Sequence, residues 1–204
     1  MKARVTWCLA LGLAAVTTVA ACSPGGKGQA QQTPGGNTST GSSTTTANGS
    51  PSSAPKVATP LNATTFVNNP CSALASADVA GLRVTNPISK PSNTHPGCGW
   101  TGETGGSEGI DWNTDNTNGL SDLYAKSSTI AYWQPIRVDG YPAAYGDAIQ
   151  DSRPQGDCVL NVAVNDHLYF SSSFNNPANP GPSCDMAKQA ASDVLKNLKG
   201  SGGS

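Results

Sequence analysis

The chain has 204 residues, of which only 12% are charged, and it shows no excess of basic residues. Its formal net charge of −1 hides an uneven distribution. All thirteen acids lie between Asp78 and Asp193, whereas Lys2, Arg4, Lys27 and Lys56 precede that stretch. From Asp78 onward eight bases face thirteen acids, a balance of −5. Phosphate neutralisation by Lys and Arg supplies most nucleic-acid affinity, so a nucleic-acid partner is excluded. Histidine is scarce too, with only His95 and His167, far apart in sequence. Beyond Cys22 no two cysteines are close together. That spacing excludes the paired ligands of a structural zinc site and the CxxC of a redox centre. There is no internal repeat, and no cofactor is implied.

What is present begins with an address. Met1–Arg4 is a short basic start, and Val5–Ala21 is apolar apart from threonines and one Gly. The run closes on Val19-Ala20-Ala21-Cys22, with Ser23-Pro24-Gly25-Gly26 directly after it. A basic n-region, an apolar h-region and small residues before a cleavage point describe a secretory signal peptide. Small residues immediately before a cysteine make it a lipobox. Residues 1–21 are then removed, Cys22 becomes the first residue and carries palmitate, and the protein is a lipoprotein. The apolar run is at the short limit for crossing ~30 Å of hydrocarbon. Each buried methylene adds ~0.8 kcal/mol, so two acyl chains hold a protein stably at a membrane. The predicted location is the extracytoplasmic face of the cell membrane, with the lipid as the membrane contact.

Residues 22–64 hold Ser, Thr, Gly, Asn, Gln and Pro with hardly an aliphatic side chain. Such a stretch buries too little apolar area to offset ordering entropy, which predicts a disordered tether. About 40 such residues have an r.m.s. reach of roughly 35 Å. Residues 65–199 then form one folded domain, with 200–204 as a flexible tail.

Within the domain, Pro70–Leu82 reads as a helix, with Ser76 or Ser72 as N-cap and Gly81 near its end. Gly97–Thr101 and Gly109–Asn113 read as strands joined by a Gly-rich turn, and Leu120–Ser127 as a short helix. Ile136–Val138 and Ala143–Tyr145 flank the turn Asp139-Gly140-Tyr141-Pro142. Cys158, Leu160, Val162 and Val164 alternate onto one face, and Asn165-Asp166 supplies turn chemistry before Leu168-Tyr169-Phe170. The last helix opens at Ser183 or Cys184, groups Cys184, Ala187, Ala191, Val194 and Leu198 on one face, and has Gly200 at C′. The predicted class is α+β: an antiparallel sheet packed with an N-terminal and a C-terminal helix, stapled by two disulfides.

Cys71, Cys98, Cys158 and Cys184 form an even set in an exported domain, and three pairings are possible. Position favours a nested arrangement, Cys98 with Cys158 on strands and Cys71 with Cys184 near helix starts.

These features together resemble an actinobacterial lipoprotein family catalogued as domain of unknown function 3558. The resemblance rests on the lipobox and polar linker, Pro70-Cys71 with its Leu/Ala-rich helix, and Cys98-Gly99-Trp100. It also rests on Val138-Asp139-Gly140-Tyr141-Pro142-Ala143, the Cys158-led strand and Cys184 at the terminal helix. It implies placement and disulfides, and no mechanism.

Several constellations could carry chemistry. Gly105-Gly106-Ser107-Glu108-Gly109 matches G-x-S-x-G literally, but a polar turn precedes it and a strand follows. A nucleophile elbow needs strand before and helix after, so a hairpin turn is predicted. Asp111, Asn113, Asp115 and Asp122 fall at positions 1, 3, 5 and 12 of a calcium-loop template, with Asn116 where Gly belongs. That makes them a weak calcium candidate only. His95 sits in a Pro-flanked loop and His167 at a hairpin, while Asp147, Asp151 and Asp157 make an acidic loop. Trp100, Trp112, Trp133 and Tyr141 are the candidate ligand cleft, although packing the core between sheet and helix is the favoured role for most of them. No catalytic residue is singled out. The favoured reading is a non-catalytic envelope module that binds a ligand or a protein partner. An envelope hydrolase with an unrecognised site and a calcium-stabilised structural domain are the alternatives.

Overall fold

The computed structural model describes residues 52–202. The signal segment, the lipidation cysteine Cys22, the tether as far as residue 51 and residues 203–204 lie outside the described residues.

The chain forms seven strands: β1 Val84–Lys90, β2 Gly97–Gly102, β3 Ser107–Asn113, β4 Tyr132–Val138, β5 Tyr141–Asp147, β6 Asp157–Asn165 and β7 Leu168–Asn175. They pair antiparallel throughout, in the order β1-β2-β3-β7-β6-β5-β4. The helices are α1 Thr64–Asn68, α2 Ser76–Gly81, α3 Ser121–Ala125 and α4 Ser183–Gly200. The α+β class with a terminal helix on an antiparallel sheet is therefore the observed one. Both edge strands carry a proline, Pro87 in β1 and Pro135 in β4. A proline offers no N–H at an edge, which discourages pairing with another chain. Among the described residues no helix is long and apolar enough to cross a membrane.

The register sorts side chains onto two faces, because successive residues of a strand point to opposite sides. One cross-strand row runs Cys98, Ile110, Ser172, Leu160, Tyr145. This face receives α4, whose Ala187, Ala190, Ala191, Val194, Leu195 and Leu198 are buried. Trp112 and Phe170, cross-strand neighbours on the same face, pack with ring centroids 5.2 Å apart. Glu108 lies in this apolar layer, 1% exposed. The other face carries a polar chain in which Asn113 Nδ2 donates to Ser171 Oγ (3.1 Å) and Ser171 Oγ donates to Asn161 Oδ1 (2.8 Å).

The disulfides correct the nested expectation. They join Cys71 to Cys98 and Cys158 to Cys184, with Cα atoms 4.9 Å and 5.1 Å apart. The reason is strand order. β3 and β7 stand between β2 and β6, so Cys98 and Cys158 are three strand spacings apart, about 14 Å. A disulfide spans less than ~7 Å between Cα atoms.

The expected helix over Pro70–Leu82 is two elements. Pro70–Ala73 is a 3-10 turn, Leu74 and Ala75 are extended, and α2 starts at Ser76. The cap is neither Ser72 nor Ser76: Asp78 Oδ2 accepts the Ala75 N–H at 2.9 Å, an acidic side chain reaching back from the first turn. Asn197 Nδ2 of α4 donates to the same Asp78 oxygen (2.8 Å) and to the Ala73 carbonyl (3.0 Å), tying the two ends of the domain together. α4 runs through Gly200, so that glycine is helical, and the left-handed residue after the helix is Gly202 at φ 80°.

Residues 54–63, which composition assigns to the tether, are packed on the domain. Val57, Leu61 and Ala63 are buried. The Leu61 N–H donates to Val164 O (2.8 Å), and the Val57 N–H donates to Asp166 Oδ1 (3.1 Å). Three apolar residues spaced among polar ones escaped the compositional reading.

Candidate functional site

Three separate segments converge at one end of the sheet. The β4–β5 hairpin turns through Asp139 and Gly140, at φ 49° and 90°, between the paired residues Val138 and Tyr141. Two consecutive positive φ angles make the tight turn whose twist suits a hairpin, hence the Asp-Gly sequence. Ser192 Oγ of α4 donates to Asp139 Oδ2 at 2.6 Å and fixes the hairpin to the helix. Seven residues on, two helical turns along the same face, Lys199 holds its ammonium 4.9 Å from the centre of the Tyr141 ring. The third wall is the packed segment, with Thr59 and buried Leu61. Together they enclose a cleft of about 430 Å³, inside the ~300–1,000 Å³ range of small-molecule sites. Burial raises the Tyr141 phenol above its ordinary value.

The four aromatics considered as a cleft do not come together, and the favoured core role holds for two of the tryptophans. Trp100 and Trp112 are buried in the core layer, 2% and 0% exposed. Trp133 is half-buried, edge-on to Tyr124 with centroids 5.0 Å apart. Only Tyr141 lines the cleft. The core claims the large rings because they bury the most apolar surface.

The calcium pattern also disperses. Asp111 and Asn113 belong to β3, so the extended backbone cannot wrap them around an ion. Lys90 Nζ lies 3.1 Å from an Asp111 carboxylate oxygen, and Asn113 is committed to Ser171. Asp115 pairs with His95, and Asp122 accepts the Asn118 side-chain N–H at 2.9 Å. Among the described residues no three acidic, histidine or cysteine side chains form a metal-holding group.

The G-x-S-x-G match is a hairpin. Gly105 and Gly106 turn with φ of 89° and 95°, and Ser107 begins β3. His95 Nε2 lies 3.4 Å from Asp115, and His167 Nδ1 lies 2.8 Å from the Thr117 carbonyl. Neither histidine lines the cleft. In the acidic loop, Asp147 accepts N–H bonds from Ile149, Gln150 and Ser152. Burial opposes its ionised form, but the bonds from Ser152 and from these amides hold it below the usual carboxylate range. Asp157 is raised by burial and by Asp147. Asp151 forms a two-point bond with Arg153, at 2.7 Å for each contact, which lowers its pKa. Tyr169 is pushed up to about 12 by burial and then by Asp115 and Asp122.

Two features had no clear sequence signal. Glu108 is a carboxyl inside the core, and burial drives its pKa well above the ordinary value. The signal available was the alternation Glu108, Ile110, Trp112, which places it on an apolar face. Asp139 and Lys199 read as turn and helix-end residues, and only packing brings them to one cleft.

The family model described as "Protein of unknown function (DUF3558)" matches residues 17–197. No curated protein and no solved structure matches the chain. A match over most of the length places the chain in the DUF3558 family of proteins of unknown function.

Proposed function

We propose that this protein is an exported lipoprotein, anchored through Cys22 on the outer side of the cell membrane, and that its domain is a non-catalytic binding module. The basic start, the apolar run and the Val19-Ala20-Ala21-Cys22 ending support the export and lipidation. Two disulfides that engage all four domain cysteines suit an oxidising compartment.

The observation that carries the binding reading is the cleft at Tyr141, a concave site with an aromatic floor and two charged groups from different elements. Catalysis asks for polar groups converging with matched pKa values. Here the most perturbed acid, Glu108, is sealed from solvent, and the histidines are engaged elsewhere.

Labelling of intact cells with radioactive palmitate, with Cys22→Ala as control, tests the anchor. Incorporation that disappears in the variant is the expected result. A full-length chain that retains Met1 and takes up no label overturns it. Crosslinking in those cells, followed by mass spectrometry, tests for a bound partner.

A further inference from the structure

The geometry points to a short peptide with both termini free as the ligand of the Tyr141 cleft, its carboxylate on Lys199 and its ammonium on Asp139. This deepens the binding-module reading and rests on it. Among the described residues, Lys199 has no carboxylate within 4.0 Å and Asp139 has no cation within 4.0 Å. The cleft therefore offers one ammonium and one carboxylate that do not neutralise each other. A cation in the last turn of α4 is favoured by the helix dipole, and Lys199 also rests on the Tyr141 ring. Turn chemistry accounts for Asp139 on the hairpin, and among the described residues its Oδ1 has no hydrogen-bond donor.

Ser192 occupies Asp139 Oδ2, which leaves Oδ1 to accept from a ligand ammonium. The Lys199 ammonium already rests against one aromatic face and keeps N–H donors for a carboxylate. Leu61 and Tyr141 give apolar contact for ligand side chains, and Thr59 adds a hydroxyl. Charge decides between ligand classes. A purely anionic ligand meets a domain whose thirteen acids outnumber its nine bases and finds a single cation in the cleft. A dipolar ligand is neutral overall and satisfies both groups. A free amino acid carries its two charges on one carbon, whereas each further residue separates them by about 3.8 Å. A dipeptide or tripeptide suits a cleft of about 430 Å³ whose two charges belong to different elements and stand more than 4.0 Å apart.

The test is calorimetric titration of the full chain with dialanine and trialanine, beside N-acetyl-dialanine and dialanine amide. The free peptides are expected to bind, and each blocked form to bind about tenfold more weakly or worse. Lys199→Met should abolish the penalty of amidation. Asp139→Asn should abolish the penalty of acetylation, and Asn keeps both the Ser192 acceptor and a tolerance of left-handed backbone. Unchanged melting temperatures confirm that both variants fold. No binding of either free peptide at millimolar concentration overturns the assignment. So does equal binding of the blocked forms, or wild-type behaviour of both variants. A chain that takes palmitate but ignores dialanine sinks the ligand and leaves the anchor. Binding without palmitate does the reverse.

Discussion

Ser172 Oγ lies 2.8 Å from the Ala187 carbonyl oxygen and 2.9 Å from Glu108 Oε1. One hydroxyl has one proton, and a carbonyl can only accept. The Ser172 proton goes to Ala187, so the proton between Ser172 and Glu108 belongs to the carboxyl. That arrangement favours the protonated carboxyl, in the same direction as burial, which raises the Glu108 pKa well above its ordinary value. With the carboxyl protonated, Glu108 can donate to Ser172 while Ser172 donates to Ala187 of α4, whereas an ionised Glu108 competes with Ala187 for the single Ser172 proton.

The pH dependence follows from that state. In the range between the ordinary and the raised pKa the folded chain binds more protons than the unfolded one, so stability falls as pH rises. The contribution of Glu108 is complete below the unfolded carboxyl range and is lost as pH climbs through the folded value. Glu108→Gln keeps a neutral donor for Ser172 and cannot ionise. Urea unfolding between about pH 4 and pH 8 should show the wild type losing stability that the variant retains. Parallel profiles would mean that Glu108 titrates alike in both states.

The disulfides make separable contributions. Their sequence separations are 27 and 26 residues and their loops do not overlap. Loop-closure entropy gives roughly 3.5 kcal/mol for each. Replacing Cys71 and Cys98 together, or Cys158 and Cys184 together, should each lower stability by about that amount. Non-reducing peptide mapping should recover the two native cross-linked peptides. A peptide joining Cys98 to Cys158 would contradict the strand order.

Asn197 joins α4 to the capped start of α2. Asn197→Ala leaves the buried Asp78 carboxylate and the Ala73 carbonyl each one donor short. An unsatisfied buried group costs about 1–3 kcal/mol, so thermal unfolding should show a lowered midpoint. An unchanged midpoint would show that water replaces the amide at no cost.

The packed segment before α1 is part of the domain. Leu61 is 4% exposed, and Leu61→Ala should cost about 2–4 kcal/mol by cavity formation. Truncation to residue 64 should destabilise the domain more than truncation to residue 51. Equal stability of the two truncations would return the segment to the tether.

Much of this architecture is written in local pattern. The alternation of Cys158, Leu160, Val162 and Val164, the Asp139-Gly140 turn and the apolar face of α4 specify their elements directly. β1 escaped notice because only Val84 is buried, Asn86 sits at φ 52° and Pro87 interrupts the strand. Cysteine pairing escaped because β7, last in sequence, inserts between β3 and β6. No local pattern encodes such a non-local neighbour. The cleft was legible only through Tyr141. Asp139 and Lys199 each have an ordinary local role, and α4 packing on the sheet brings them together.

Cys71 finds Cys98, and Cys158 finds Cys184, each the next domain cysteine along the chain. A polypeptide that emerges amino end first presents the first couple before either member of the second exists. Oxidation in order of appearance therefore reaches the native connectivity directly, with no mispaired intermediate to be reshuffled. Reoxidation of the reduced chain by a simple thiol oxidant is therefore expected to reach these two pairs without an isomerase.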